Sequence, residues 1–248
     1  MIPVVKSQEY YFRQMPLDFD GDIQKIRLMF QGKDQMIWMG TDQGLYSFDG
    51  RRSWQIRRPD GTTNEVTAIA EKQRGEIWAG YADGFVHVVS FPGQNKIIPT
   101  DSLKGVIINK ILFGENGDAF IATYGKSIWR FHDNQLVRIG LISVDIKDIY
   151  DAILDVQGRL WLATDRGIWI YQEKPNEDFR HIDREIGLPD EIVSKLLSEK
   201  NGDVWIGLFD HGLARYQKVR DTIVNVEAIK EDEGSVIIII DISLLWRR

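Results

Sequence analysis

A β-propeller of four-stranded antiparallel blades is the fold class that three observations predict for this 248-residue chain. A small apolar run recurs five times, as IWMGT at Ile37 to Thr41, IWAGY at Ile77 to Tyr81, AFIAT at Ala119 to Thr123, LWLAT at Leu160 to Thr164 and VWIGL at Val204 to Leu208. The anchor aromatics of these runs, Trp38, Trp78, Phe120, Trp161 and Trp205, are separated by 40, 42, 41 and 44 residues. A period in that range marks propellers, solenoids or arrays. A turn precedes and follows each run, so every unit reads as a meander of short strands.

Each unit opens with an inner strand. Apolar residues stand eight positions before the anchor at Phe30, Ala70, Leu112, Ile153 and Leu197, and twelve before it at Ile26, Val66, Ile108, Ile149 and Val193. That spacing is one strand face. A hairpin turn follows, with Gly75, Gly117, Gly158 and Gly202 three before the anchor to supply positive φ, and with Gln35 in that place in the first unit. The central strand is apolar on both faces, which implies burial from both sides by stacked blades. The turns TDQG, YADG, YGKS, TDRG and FDHG lead to third strands LYSF, FVHV, IWRF, IWIY and LARY. A fourth, outer strand should be amphipathic, as SWQIRR at Ser53 to Arg58 and FRHID at Phe179 to Asp183 are. EIVSKLLSEK at Glu191 to Lys200 has helix formers and a helical apolar spacing behind Pro189. Its register with four sister segments nonetheless predicts an inner strand.

Continuing the register places Gly234 three before Ile237 and aligns IIIIDISLLWRR with FIATYGKSIWRF, which adds a sixth unit. The whole chain, 1–248, then reads as one propeller domain. EYYFRQ at 9–14 would be the outer strand that completes the last blade at 225–248, removing the free edges of an open ring. An incomplete seven-bladed ring is the alternative. Only 32 residues separate Trp205 from Ile237, so the fifth unit is expected to lack a normal outer strand.

Composition narrows the function classes. A net charge of -6 argues against a nucleic-acid partner. Arg51, Arg52, Arg57 and Arg58 make a local basic patch that reads as a solvated outer strand and loop. The absence of cysteine removes disulfides, thiol nucleophiles and zinc fingers. No cofactor, metal site or catalytic set is assigned. In DFDGD at Asp18 to Asp22 the glycine precedes the third Asp and position twelve would be Met29 rather than Glu, unlike a calcium loop. His87, His132, His181 and His211 lack metal-ligand spacing. The segment MIPVVKSQEYYFRQ lacks the charged start and continuous apolar stretch of a secretory signal, so nothing in it directs export. The apolar run Val236 to Trp246 is shorter than the ~20 residues a membrane helix needs, and no membrane segment is expected.

The stretch GLPDEIVSKLLSEKNGDVWIGLFDHGLARYQ at Gly187 to Gln217 resembles the two-component regulator propeller repeat, as do DVQGRLWLATDRGIWIY at Asp155 to Tyr171 and IWMGTDQGLYSFDG at Ile37 to Gly50. That family's pattern is an apolar strand, a D-x-x-G turn, an L-W-I-G-T strand, a G-L turn and R-Y. The third unit departs from it, with Phe120 for Trp and Lys126 in the Gly position. The resemblance implies a non-enzymatic, periplasmic or otherwise extracytoplasmic sensor domain that recognises a small ligand, saccharide-like or oligosaccharide. It also implies a signalling kinase or dimer partner supplied by other sequence. The alternatives are a protein interaction scaffold and a glycan-active lyase or hydrolase.

In a propeller the loop into the inner strand and the turn between second and third strands open on one end of the ring. Two sets of residues are expected to converge there as a ligand site. The first comprises Arg27, Thr67, Asn109, Tyr150 and Ser194, eleven before each anchor, with Lys110, Asp151 and Lys195 beside them. The second comprises the turn residues Asp42, Asp83, Tyr124, Asp165, Asp210 and His211. Such groups can pair with the hydroxyls of a sugar-like ligand.

Overall fold

The computed structural model describes residues 25–90, 94–139, 146, 148–172 and 178–226. Among them, twenty strands form five four-stranded antiparallel sheets, each a meander in chain order. The first holds β1 (Ile26–Gln31), β2 (Ile37–Thr41), β3 (Gly44–Phe48) and β4 (Ser53–Ile56). The second holds β5 (Val66–Gln73), β6 (Glu76–Tyr81), β7 (Val86–Ser90) and β8 (Gln94–Ile98). The third holds β9 (Ile108–Phe113), β10 (Ala119–Thr123), β11 (Ile128–His132) and β12 (Gln135–Arg138). The fourth holds β13 (Ile149–Leu154), β14 (Leu160–Thr164), β15 (Gly167–Gln172) and β16 (Asp178–Ile182). The fifth holds β17 (Val193–Ser198), β18 (Val204–Leu208), β19 (Leu213–Gln217) and β20 (Thr222–Val226).

Consecutive sheets pack through their inner strands, in the order β1, β5, β9, β13 and β17. A buried core fills each of the four junctions. The anchor aromatic of each of the first four sheets points forward into the next: Trp38 packs with Val66 and Ile77, Trp78 with Ile108 and Ile121, Phe120 with Ile149 and Leu162, and Trp161 with Val193 and Ile206. This is why both faces of the central strand are apolar. Close stacking also explains the small residue two after the anchor, because a Cβ added to Gly80 would lie 2.6 Å from Ile108 Cγ2.

The helix-like segment after Pro189 forms β17, so burial of Val193 and Leu196 between sheets outweighs local helix propensity. The fifth sheet does have an outer strand, contrary to the expectation from its short spacing: β20 pairs with β19 through a tight turn at residues 218–221. Gln35 adopts the positive φ (71°) that glycine supplies in the sister hairpins, and Ser127 (68°) does the same where the third unit lacks the second turn glycine. Arg58 is not a solvated patch residue: it is 6% exposed. The expected closing strand 9–14 and the final blade beyond Val226 lie outside the described residues, as does the 18–22 acidic run.

Candidate functional site

The inner strands share one irregularity. Registers of β1, β5, β9, β13 and β17 on their neighbours each skip one residue near the strand start, Arg27, Thr67, Asn109, Tyr150 and Ser194, and β5 skips Lys72 as well. The whole first predicted set therefore sits on β-bulges, which re-aim side chains and collect beside functional sites. The two loop systems do meet at one end of the ring, here called the upper face. The turn after the second strand donates to the loop before the inner strand through Asp42 N to Lys25 O, Ala82 N to Glu65 O, Tyr124 N to Ile107 O and Phe209 N to Ile192 O.

Four of the five bulge side chains bond within the scaffold. Arg27 pairs with Glu65 at 2.9 Å. Thr67 Oγ1 donates to Gly80 O at 3.3 Å and Ser194 Oγ to Gly207 O at 3.1 Å. Asn109 Nδ2 donates to Ile149 O at 2.7 Å, tying the third sheet to the fourth. One position further on, Asp151 is buried and accepts Leu196 N at 3.2 Å and Lys110 Nζ at 3.1 Å, with Lys195 Nζ 4.0 Å away. Asp151 therefore joins three sheets along the inner edge.

The fifth bulge residue, Tyr150, lies beside Tyr124, with ring centroids 6.1 Å apart and an angle of 39° between the planes. Tyr124 is 45% exposed and bridges to Asp148, while Asp165 stands exposed in the next turn. Partial burial, then the charge of Asp165 and the proximity of Tyr124 and Asp148, push the Tyr150 hydroxyl above its ordinary range. Here the two predicted sets come together. Asp148 stands at neither of the two offsets that define the predicted sets, so the repeat pattern does not single it out.

The remaining turn residues go elsewhere. Asp42 Oδ1 accepts Lys25 N at 3.4 Å. Asp83 binds Arg58 Nη1 at 2.9 Å. Asp210 N and His211 both engage Asp190, at 3.0 and 3.4 Å. Burial would raise Asp190, but the amides of Asp210, Ile192 and Glu191 together with His211 overcome it and hold the carboxyl at about 2. Among the described residues, no cluster of three or more His, Asp or Glu is arranged to hold a metal ion. No helix among them is long and apolar enough to cross a membrane.

No family model and no curated protein matches the chain. Among solved structures, the extracellular domain of the hybrid two-component system BT3049 from B. thetaiotaomicron aligns with a TM-score of 0.69 and 22% identity over 80% of this chain. The extracellular domain of the one-component system BT4673 from the same organism gives 0.65 and 22% over 82%. The fold is a β-propeller. This propeller spans only 28% of the length of each of those two chains. It also aligns with virginiamycin B lyase from Staphylococcus aureus, solved with quinupristin, with a TM-score of 0.66 and 14% identity over 86% of this chain and 77% of that one. These likenesses show the fold, which sensor domains and an enzyme share.

Proposed function

We propose that this chain is a ligand-sensing propeller module whose upper face binds a small hydroxylated, saccharide-like molecule on the Tyr124 and Tyr150 platform. One observation carries the reading: two partly exposed aromatic rings from adjacent sheets lie 6.1 Å apart with Asp148 and Asp165 beside them. Aromatic faces accommodate the apolar faces of a sugar ring while carboxylates accept from its hydroxyls. The Tyr150 hydroxyl adds a group that can both donate to and accept from a ligand hydroxyl. Signal output through a kinase or dimer partner, and an extracytoplasmic location, belong to the same proposal. They are supported by the extracellular sensor domains that share the fold.

Titration with a panel of oligosaccharides tests the site. Tyr150→Ala and Tyr124→Ala are each expected to weaken binding about tenfold, the equivalent of ~1.4 kcal/mol. Unchanged affinity in both variants would sink the site, and release of cleaved product from any oligosaccharide would replace the sensor with an enzyme.

The proposal extends to ring closure, with 227–248 and 9–14 as a sixth blade. On the rear face of the first sheet, Met39, Tyr46 and Phe48 are buried although no described sheet precedes it. Deleting residues 1–14 is expected to lower the urea midpoint by exposing that face; an unchanged midpoint overturns the closure.

A further inference from the structure

Each sheet ends in an outer strand, and β4 differs from the others in the charges that flank it. Arg51 and Arg52 precede it and Arg57 follows it, all three exposed. None of the three guanidinium groups is in a salt bridge among the described residues. Arg58, next in the chain, is instead committed to the scaffold: it binds Asp60 at 2.6 Å and Asp83 at 2.9 Å, and its guanidinium lies 4.7 and 4.0 Å from the ring centres of Tyr81 and Phe85. Asp49 is likewise engaged, its Oδ1 accepting the amides of Arg51 and Arg52 at 2.7 Å each. Four arginines against two aspartates leave a charge of +2 between Asp49 and Asp60, in a chain whose net charge is -6. On other outer strands the cations are occupied, Arg180 by Asp221 at 2.7 Å and Lys96 by Asn134 at 3.3 Å.

Two further features lie along β4. Trp54, in the middle of the strand, is 44% exposed. At the far end, a groove of about 340 Å³ is lined by Gln43, Gln55, Ile56, Arg57, Thr62 and Thr63. Among the described residues no strand pairs beyond β4, so the outward N–H and C=O groups of this edge are open to another backbone.

We infer that β4 is a docking edge for an extended acidic segment of a partner protein, which adds to the first sheet as a fifth strand. In this mode of recognition main-chain hydrogen bonds give affinity while side-chain pockets give specificity. Arg52 and Arg57 are five residues apart, roughly 16 Å along a strand, so acidic groups at both ends of a short extended peptide meet both cationic flanks. Trp54 offers an apolar cross-strand partner between them, and the groove takes a polar side chain against its amides and threonine hydroxyls. The same flanks repel a second copy of this edge, which selects an acidic partner over self-association. The edge shares no residue with the Tyr124 and Tyr150 platform and stands or falls separately from it.

Fluorescence-polarisation titration of the full chain with a labelled octapeptide, EEVTVTEE, tests the inference. Saturable binding is expected, with slowed amide exchange at alternate residues of β4 in backbone NMR, and none is expected for KKVTVTKK. EEVPVPEE keeps the charge but loses strand N–H groups, and is expected to bind at least about fivefold more weakly. Trp54→Ala is expected to weaken EEVTVTEE about tenfold, and Arg52→Glu combined with Arg57→Glu to abolish its binding. These positions are exposed, so each variant is expected to keep the wild-type melting temperature. No saturable binding of EEVTVTEE, equal affinity for EEVPVPEE, or wild-type affinity in the double arginine variant overturns the inference. Flotation with phosphatidylserine vesicles in place of peptide binding also overturns it and assigns the arginines to a membrane surface.

Discussion

The inner edge of the third to fifth sheets and that of the first two are built on one register but joined by different physics. Ten residues before the anchor, the third to fifth sheets carry Lys110, Asp151 and Lys195, whereas the first two carry Leu28 and Ala68. In the charged half, Asp151 draws Lys110 from one neighbour and the Leu196 amide from the other into a buried network. In the apolar half, Leu28 and Ala68 pack into the junction cores, and the charge pair between the first two sheets, Arg27 with Glu65, is 47% and 34% exposed and so contributes little. The halves do not differ in how they treat buried polar atoms. Anchor indoles are paired in both, Trp78 Nε1 with Glu76 at 2.8 Å, Trp161 Nε1 with Asp155 at 2.9 Å and Trp205 Nε1 with Glu199 at 2.6 Å, and both leave atoms without a hydrogen-bond partner among the described residues, Trp38 Nε1 and Tyr81 Oη in one and Trp169 Nε1 and Arg215 Nε in the other. A packed edge tolerates change in proportion to the volume lost; a buried charge fails when any one partner goes.

The largest effect that would break this contrast is Asp151→Ala. Removing a buried carboxylate that serves two sheets leaves the Leu196 amide and Lys110 uncompensated and is expected to cost about 3 kcal/mol in urea unfolding. Ala68→Gly, at the equivalent place in the apolar half, is expected to cost about 1 kcal/mol. Equal losses would mean that the two halves are joined alike.

Acid sharpens the comparison because the two halves hold histidines of opposite sign. Burial, aided by the positive charge of Arg58 and opposed by Asn95, pushes His87 below its ordinary 6.5. The unfolded chain therefore takes up the proton first, and stability falls as pH drops from about 6.5 toward the depressed folded value. In the third sheet the buried Asp118 carboxylate, bonded to His132 Nδ1, and the nearby Asp133 raise His132. Its contribution is fully present below about 6.5 and is lost as pH rises through the elevated folded value. His87→Phe is expected to flatten the acid side of the urea-midpoint profile, and His132→Gln to remove a smaller rise toward low pH. Profiles that move in the same direction for both variants would contradict the assignment.

The smallest expected effect is Gln35→Gly. It relieves a left-handed backbone at φ 71° that the sister hairpins give to glycine, and is expected to raise stability by about 0.5 kcal/mol in thermal unfolding.

Much of the fold was legible because each level of the pattern agreed. The anchor aromatics, turn glycines and doubly apolar central strands all demanded stacked blades, and that agreement carried β17 against its own helix propensity. Less of the site was readable. Tyr150 follows from its offset and Tyr124 from its turn, and their ring centroids lie 6.1 Å apart. Asn109, Thr67 and Ser194 were identified by the same offset, yet their side chains bond to backbone carbonyls, because a polar group on an inner edge serves whichever unpaired group is nearest. Tyr81 stood inside the repeat as an aromatic in a threonine position, a departure whose meaning depends on Arg58 arriving from the preceding loop.

By itself, the sequence determined the period, the strand order within each sheet and the end of the ring where loops gather, since these follow from local spacing and turn chemistry. Only the tertiary structure decided which polar residues are spent joining sheets and which stay exposed. That choice rests on distances between residues some forty apart in the chain, such as Asn109 with Ile149 and Asp151 with Leu196, and no local pattern encodes them.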